Sequence, residues 1–160
     1  MKNKNYLLAL VGAIITFASP TFAENEPVSK YELEEPLFYL LEDLYVAAHL
    51  ENLSSFIGHI SPTFIMHRDF GGMTNEEGFG MPNFVAVFNL EATSRMSNGD
   101  GGFGWRNLEN LLGASHFEKT ETGYCGPYYS PGVSLTEREQ LCFSKYKGEW
   151  VIDLLIGGGD

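Results

Sequence analysis

The apolar residues of this chain change their period part-way along it, from helical spacing to alternation, and that switch limits the fold more than any other feature. From residue 34 onward Leu37, Leu40, Leu41, Leu44 and Ala48 fall on one helical stripe, with Pro36 in the first turn and Glu42, Asp43 and Glu51 off it. A second, short helix is predicted over 53–60, before Pro62. Residues 63–70 then alternate as a strand, with Phe64, Met66 and Phe70 on one side and Thr63, Ile65, His67 and Asp69 on the other. Gly71 and Gly72 end that strand, and a Gly-rich loop leads to Met81. Pro82 opens a helix that runs to about Ala92 and would bury Val85, Phe88 and Ala92. After a flexible loop over 97–104, Trp105, Leu108, Leu111 and Leu112 mark a further helix, which Gly113 stops. Beyond it the period becomes two, and strands are predicted over 116–120, 123–129, 140–147 and 149–156. Gly148 makes a tight connection between the last two, and Pro127 marks an edge or a bulge. Helices followed by a run of antiparallel strands is an α+β layout, here N-terminal helices packed on a curved, mainly antiparallel sheet.

The first 23 residues are expected to lie outside that domain. Lys2 and Lys4 precede an uncharged, mostly apolar run over 6–17, Pro20 breaks it, and Thr21 and Ala23 place small residues around a cut after Ala23. A cut after Ala18 is the alternative. The run is shorter than the roughly 20 apolar residues that cross a bilayer, so it reads as a cleavable secretory signal. Export to a periplasm or to the outside leaves 137 of the 160 residues, enough for one core. Residues 24–33 read as a loose lead-in holding Pro27, and 34–160 as a single domain.

Removing Lys2 and Lys4 takes the 10 Lys and Arg to 8 against 21 Asp and Glu, a balance of −13. Such a surface excludes nucleic acid, whose affinity rests on cations neutralising phosphates, and disfavours an anionic membrane. It suits a basic protein or a cationic ligand, or serves solubility alone. Two cysteines remain, Cys125 and Cys142, and in an oxidising compartment an even count points to a bridge between them. They lack the CxxC spacing of a redox pair.

His67 and Asp69 stand two apart on one side of a strand, where the acid could orient the imidazole for general-base work. Asp153 shares the face of Val151 and Leu155, so an inward carboxyl there would have a raised pKa. The plainer alternative pairs His67 with a surface Glu, and Asp153 with Arg68 or a Tyr hydroxyl. Tyr124, Tyr128 and Tyr129 gather around Pro127 as either pocket lining or sheet filler, and Trp150 reads as core. Asn98, Asp100 and Glu109 occupy positions 1, 3 and 12 of a calcium loop. Gly102 at position 5 has no ligand and Phe103 stands where the turn needs glycine, so no metal site is assigned. His49, His59 and His116 lack zinc-ligand spacing, and no phosphate loop or dinucleotide fingerprint is present, so no cofactor is implied.

Taken together, the segments LEDLYVAAHLENLSSFI, FIMHRDFGG, WRNLENLLG, YCGPYY and CFSKYKGEWVIDLL resemble the nuclear transport factor 2-like superfamily, which includes ketosteroid isomerases and polyketide cyclases. The likeness is greatest to exported bacterial members with a Trp-bearing helix before a Cys-x-Pro-Tyr strand, and it implies a cone-shaped half-barrel. The isomerases' acidic base and acid donor do not map onto this chain residue by residue. The expected function is therefore a non-enzymatic binding domain of the cell envelope. It would take a small apolar molecule or a basic protein through a cone pocket or acidic rim, with Tyr124, Tyr128, His67 and Asp153 as ligand contacts. One form of that expectation is an inhibitor or immunity-type protein against a basic envelope-acting enzyme. An isomerase- or cyclase-like enzyme using His67, Asp69 or Asp153 is the alternative, and a homodimer is left open.

Overall fold

A computed structural model of the chain describes residues 26–68, 80–90, 104–133 and 137–157, with the backbone alone described at 67 and 68. The expected signal peptide, Asp69, the Gly-rich loop after it, and Asn98 and Asp100 of the calcium-loop test lie outside the described residues. The elements run β1 Pro27–Ser29, a 3-10 turn Lys30–Glu32, α1 Glu35–His49, a 3-10 turn Leu53–Phe56, β2 Ile60–Arg68, α2 Gly80–Phe88, α3 Gly104–Leu112, β3 His116–Lys119, β4 Gly123–Gly126, β5 Gln140–Tyr146 and β6 Glu149–Gly157. Six strands form one sheet in the order β1-β3-β4-β5-β6-β2. Every neighbouring pair is antiparallel except β2 and β6, which are parallel. The class is therefore α+β with a mixed sheet.

The sequence stripe of α1 is the buried one: Leu37, Leu40, Leu41, Leu44 and Ala48 are inward, joined by Ala47. Glu34 and Glu35 at its start face the positive end of the helix dipole. At the other end Glu51 adopts a positive φ of 54°, and the Asn52 amide bonds the Ala47 carbonyl at 2.8 Å. The four residues expected inward on α3, Trp105, Leu108, Leu111 and Leu112, are all buried, and α3 packs along α1.

The lead-in departs from expectation. From Pro27 it pairs with β3, and a capping box follows, in which the Ser29 amide donates to the Glu32 carboxylate at 3.1 Å. Leu33 then enters the core. An otherwise unpaired edge of β3 and one buried leucine offset the cost of ordering this segment. The helix expected over 53–60 shrinks to a single 3-10 turn, because Gly58 takes φ +90° and β2 begins at Ile60. Pro62 is thus inside β2, on an edge strand and in the stretch where pairing with β6 slips register, where its missing N–H removes no ladder bond.

Between β5 and β6 the chain turns through Lys147 and Gly148, with φ of 53° and 91° and Tyr146 opposite Glu149. Positive φ at both central residues is the tight hairpin form that glycine favours. Cys125 and Cys142 face one another across β4 and β5 and are bridged. Closing a loop of 17 residues is worth about 3 kcal/mol in the chain-entropy account.

α2 attaches through aromatic rings. Phe84 lies 5.4 Å from Phe56, 5.4 Å from Phe64 on β2 and 5.0 Å from Phe88, and Phe56 continues to Trp105 of α3 at 6.0 Å. Of the residues expected inward, Phe88 is fully buried and Val85 only partly, while Ala92 lies outside the described residues; Phe84, not among them, is fully buried. Truncating the central ring, F84A, is expected to cost about 4 kcal/mol, read as a lower urea midpoint with α2 amides losing protection from hydrogen exchange first.

Candidate functional site

Asp153 is the one described carboxyl whose environment is clearly displaced from that of a surface acid, and the register of β6 explains why. Leu141, Cys142 and Phe143 of β5 stand opposite Leu155, Leu154 and Ile152 of β6, so Asp153 is skipped. It is the extra residue of a β-bulge, a device that re-aims side chains and is frequent beside functional sites. The parallel ladder to β2 is irregular at the same point, jumping from Ile60–Ile152 to Ile65–Leu154.

The bulge also breaks the alternation read from the sequence. Trp150, Ile152 and Leu155 belong to the main core, while Val151 is buried outside it, opposite Ser144. Val151 and Leu155, expected to share a face with Asp153, therefore fall on opposite faces. Asp153 takes the Val151 side, where the Ser144 hydroxyl donates to its carboxylate. Its Oδ1 is buried with no partner among the described residues. Burial raises the carboxyl pKa above its ordinary 3.8, and the Ser144 bond opposes the rise without cancelling it. Leu154 and the Cys125–Cys142 bridge occupy the neighbouring positions of this face.

Of the other expected site residues, His67 has its backbone on β2 opposite Ile156, two positions past Ile65. The register thus brings His67 and Asp153 onto adjacent strands. Tyr124 is on the opposite face: it lies in the core across from Phe143, its ring 5.9 Å from that of Trp150. Tyr128 is half-buried after the cis Gly126–Pro127 bond, and its amide donates to the His116 carbonyl at 2.8 Å. The Tyr129 hydroxyl accepts from the Glu139 amide at 3.1 Å and donates to its carbonyl at 3.3 Å, while Gln140 donates to the Pro127 carbonyl at 2.9 Å. Tyr129 therefore fastens a loop, and Tyr124 fills the core on the face away from Asp153.

Two surface clefts of about 310 Å³ lie elsewhere. One is lined by Ala48, His49, Glu51, Trp105, Arg106 and Glu109, with His49 Nδ1 3.0 Å from the Glu109 carboxylate. The other is lined by Pro36, Leu40, His59, Lys145 and Trp150, with the Lys145 ammonium 4.9 Å above the indole and 2.7 Å from Glu34. No group of three His, Cys, Asp or Glu side chains among the described residues is placed to hold a metal ion. No described helix is long and apolar enough to cross a membrane.

Sequence reading missed Ser144 and the bulge itself. The run Val151-Ile152-Asp153-Leu154-Leu155-Ile156 is apolar on both sides of the acid, so it carries no alternation from which to read a change of phase. Compared with protein-family models, with curated proteins and with solved structures, the chain matches none.

The pH dependence has a definite sign. A carboxyl whose folded pKa is raised holds its proton more firmly in the folded chain, so its stabilising share is present below 3.8 and is lost as pH rises through the folded value. D153N is therefore expected to melt above the wild type at pH 7, with the gain shrinking as the solution is acidified toward the ordinary carboxylate range. Thermal melts of both chains across pH check this, and equal melting temperatures at pH 7 would refute it.

Proposed function

We propose that this chain is a non-enzymatic binding domain exported to the cell envelope, of the cone-shaped, nuclear transport factor 2-like kind, and that its partner is a basic protein. The observation that carries the reading is the charge: 21 acids against 10 Lys and Arg over the whole chain, with Glu34, Glu35, Glu42 and Asp43 exposed along α1. An acidic face of this kind steers cationic partners and repels nucleic acid and anionic lipid. The bridged cysteines favour an oxidising compartment, in keeping with the N-terminal segment read as a cleavable signal. The helices lying on a six-stranded sheet are compatible with the cone. In its most specific form the domain blocks a basic envelope-acting enzyme such as a lysozyme.

Titration with lysozyme at rising salt tests the proposal. Binding is expected at low ionic strength and should weaken by about tenfold or more between 0.05 and 0.3 M salt, as screening shortens the reach of the acidic face. No binding of lysozyme or of other basic envelope proteins at either salt would overturn it.

Asp153 favours one second reading, an isomerase- or cyclase-like enzyme in which the raised carboxyl abstracts a proton beside a carbonyl. His67, whose backbone lies on the adjacent strand, and Asp69, outside the described residues, are the assisting groups the sequence offers. It requires turnover of unsaturated ketones that D153N lowers by about 10²- to 10⁴-fold. Turnover unchanged in D153N would end this reading.

A further inference from the structure

α1 is apolar on two sides. Its inward stripe is buried, yet Tyr39 and Val46, with Leu50 at the C-cap, are 57%, 52% and 67% exposed. At 3.6 residues per turn these three lie within about 40° of one another, on the side of the helix facing away from Leu37, Leu41, Leu44 and Ala48. The stripe is extended at its N-terminal end by rings: Phe38 is 5.5 Å from Tyr39 and 6.0 Å from the exposed Tyr31. Acids border it on both flanks, Glu35 and Glu42 on one and Asp43 on the other. Glu42 is held by Lys30 at 2.6 Å, whereas Glu35 and Asp43 have no ion-pair partner among the described residues. A solvated helix face needs no apolar row three turns long, and a row flanked by acids is complementary to an apolar row flanked by cations.

We propose that this outer face of α1 is the docking surface for a basic amphipathic helix of the partner protein, which lays an apolar stripe along Tyr39, Val46 and Leu50 and its Lys or Arg residues against Glu35, Glu42 and Asp43. The inference rests on the reading of the domain as a binder of basic proteins and names the surface it uses. From Tyr39 to Leu50 the stripe is about 16 Å long, so the docked helix spans about three turns. A second copy of this chain is a poorer occupant, since it would set Glu35 and Asp43 against acids of the same sign.

The test uses the purified chain and two labelled peptides of about 14 residues, long enough for three to four helical turns. One carries Leu along a single helical face and Lys elsewhere, and the other has Ser in place of each Leu. Fluorescence anisotropy is expected to show the Leu/Lys peptide binding the wild type, and the Ser/Lys peptide binding at least about tenfold more weakly, the worth of one buried aliphatic side chain. The double variant V46E/L50E adds negative charge, so attraction by charge alone would strengthen binding; docking on the stripe predicts a loss of about tenfold or more. E35Q/D43N should weaken binding and flatten its salt dependence. Equal binding of both peptides, or of wild type and V46E/L50E, overturns the α1 site while leaving the basic-partner reading to the lysozyme titration. A wild-type dimer that V46E/L50E converts to monomer overturns it too, by giving the face to a second copy. Because both substituted residues are exposed, unchanged far-UV circular dichroism verifies that each variant is folded.

Discussion

β6 is the strand through which β2 is hydrogen-bonded to the rest of the sheet. On one side it closes the antiparallel run that descends from β3, and on the other it accepts β2 in parallel. The aromatic cluster that anchors α2 is attached to β2 through Phe64, and to α3 through Phe56 and Trp105. A strand in that position must satisfy two ladders of different geometry, one with perpendicular bonds and one with slanted bonds. The irregularities in both fall at one place, beside Asp153. The half-buried carboxyl is thus tied to the way a parallel strand is joined to an antiparallel meander.

Much of this was legible in advance, for a physical reason that differs by element. α1 and α3 were readable because a helix packed on one side repeats its apolar residues at a period no strand shares. Their predicted inward residues are the buried ones. β5 and β6 were readable because the glycine at 148 permits the positive φ of a tight hairpin, so the turn fixed the pairing around it. The lead-in was misread because β1 is short and owes its order to a distant edge, that of β3, which no local pattern announces. Phe84 was passed over for Val85 because both lie near one helical face, and only the rings of Phe56 and Phe64 decide between them.

The candidate site was less legible than the fold. Nothing local distinguishes the aspartate at 153 from a strand residue in simple alternation, and the bulge that turns it toward Ser144 depends on the register of two neighbours. For Tyr124 and Tyr129 the sequence leaves pocket lining and sheet filler equally open. Their residue types suit a binding pocket, but one fills the core and the other ties residue 129 to residue 139. Composition made the three tyrosines a group, and the sheet sent them to different tasks.

The cross-strand bridge joins the two ends of the segment 127–139, which leaves the sheet after β4 and returns to it at β5. Tyr129, inside the segment, and Gln140, the first residue of β5, both fasten it. A protease that cut the chain there would separate nothing: the pieces on either side would stay covalently joined through sulfur and hydrogen-bonded as adjacent strands. The segment is a place where the backbone can be severed and the molecule can persist as one body.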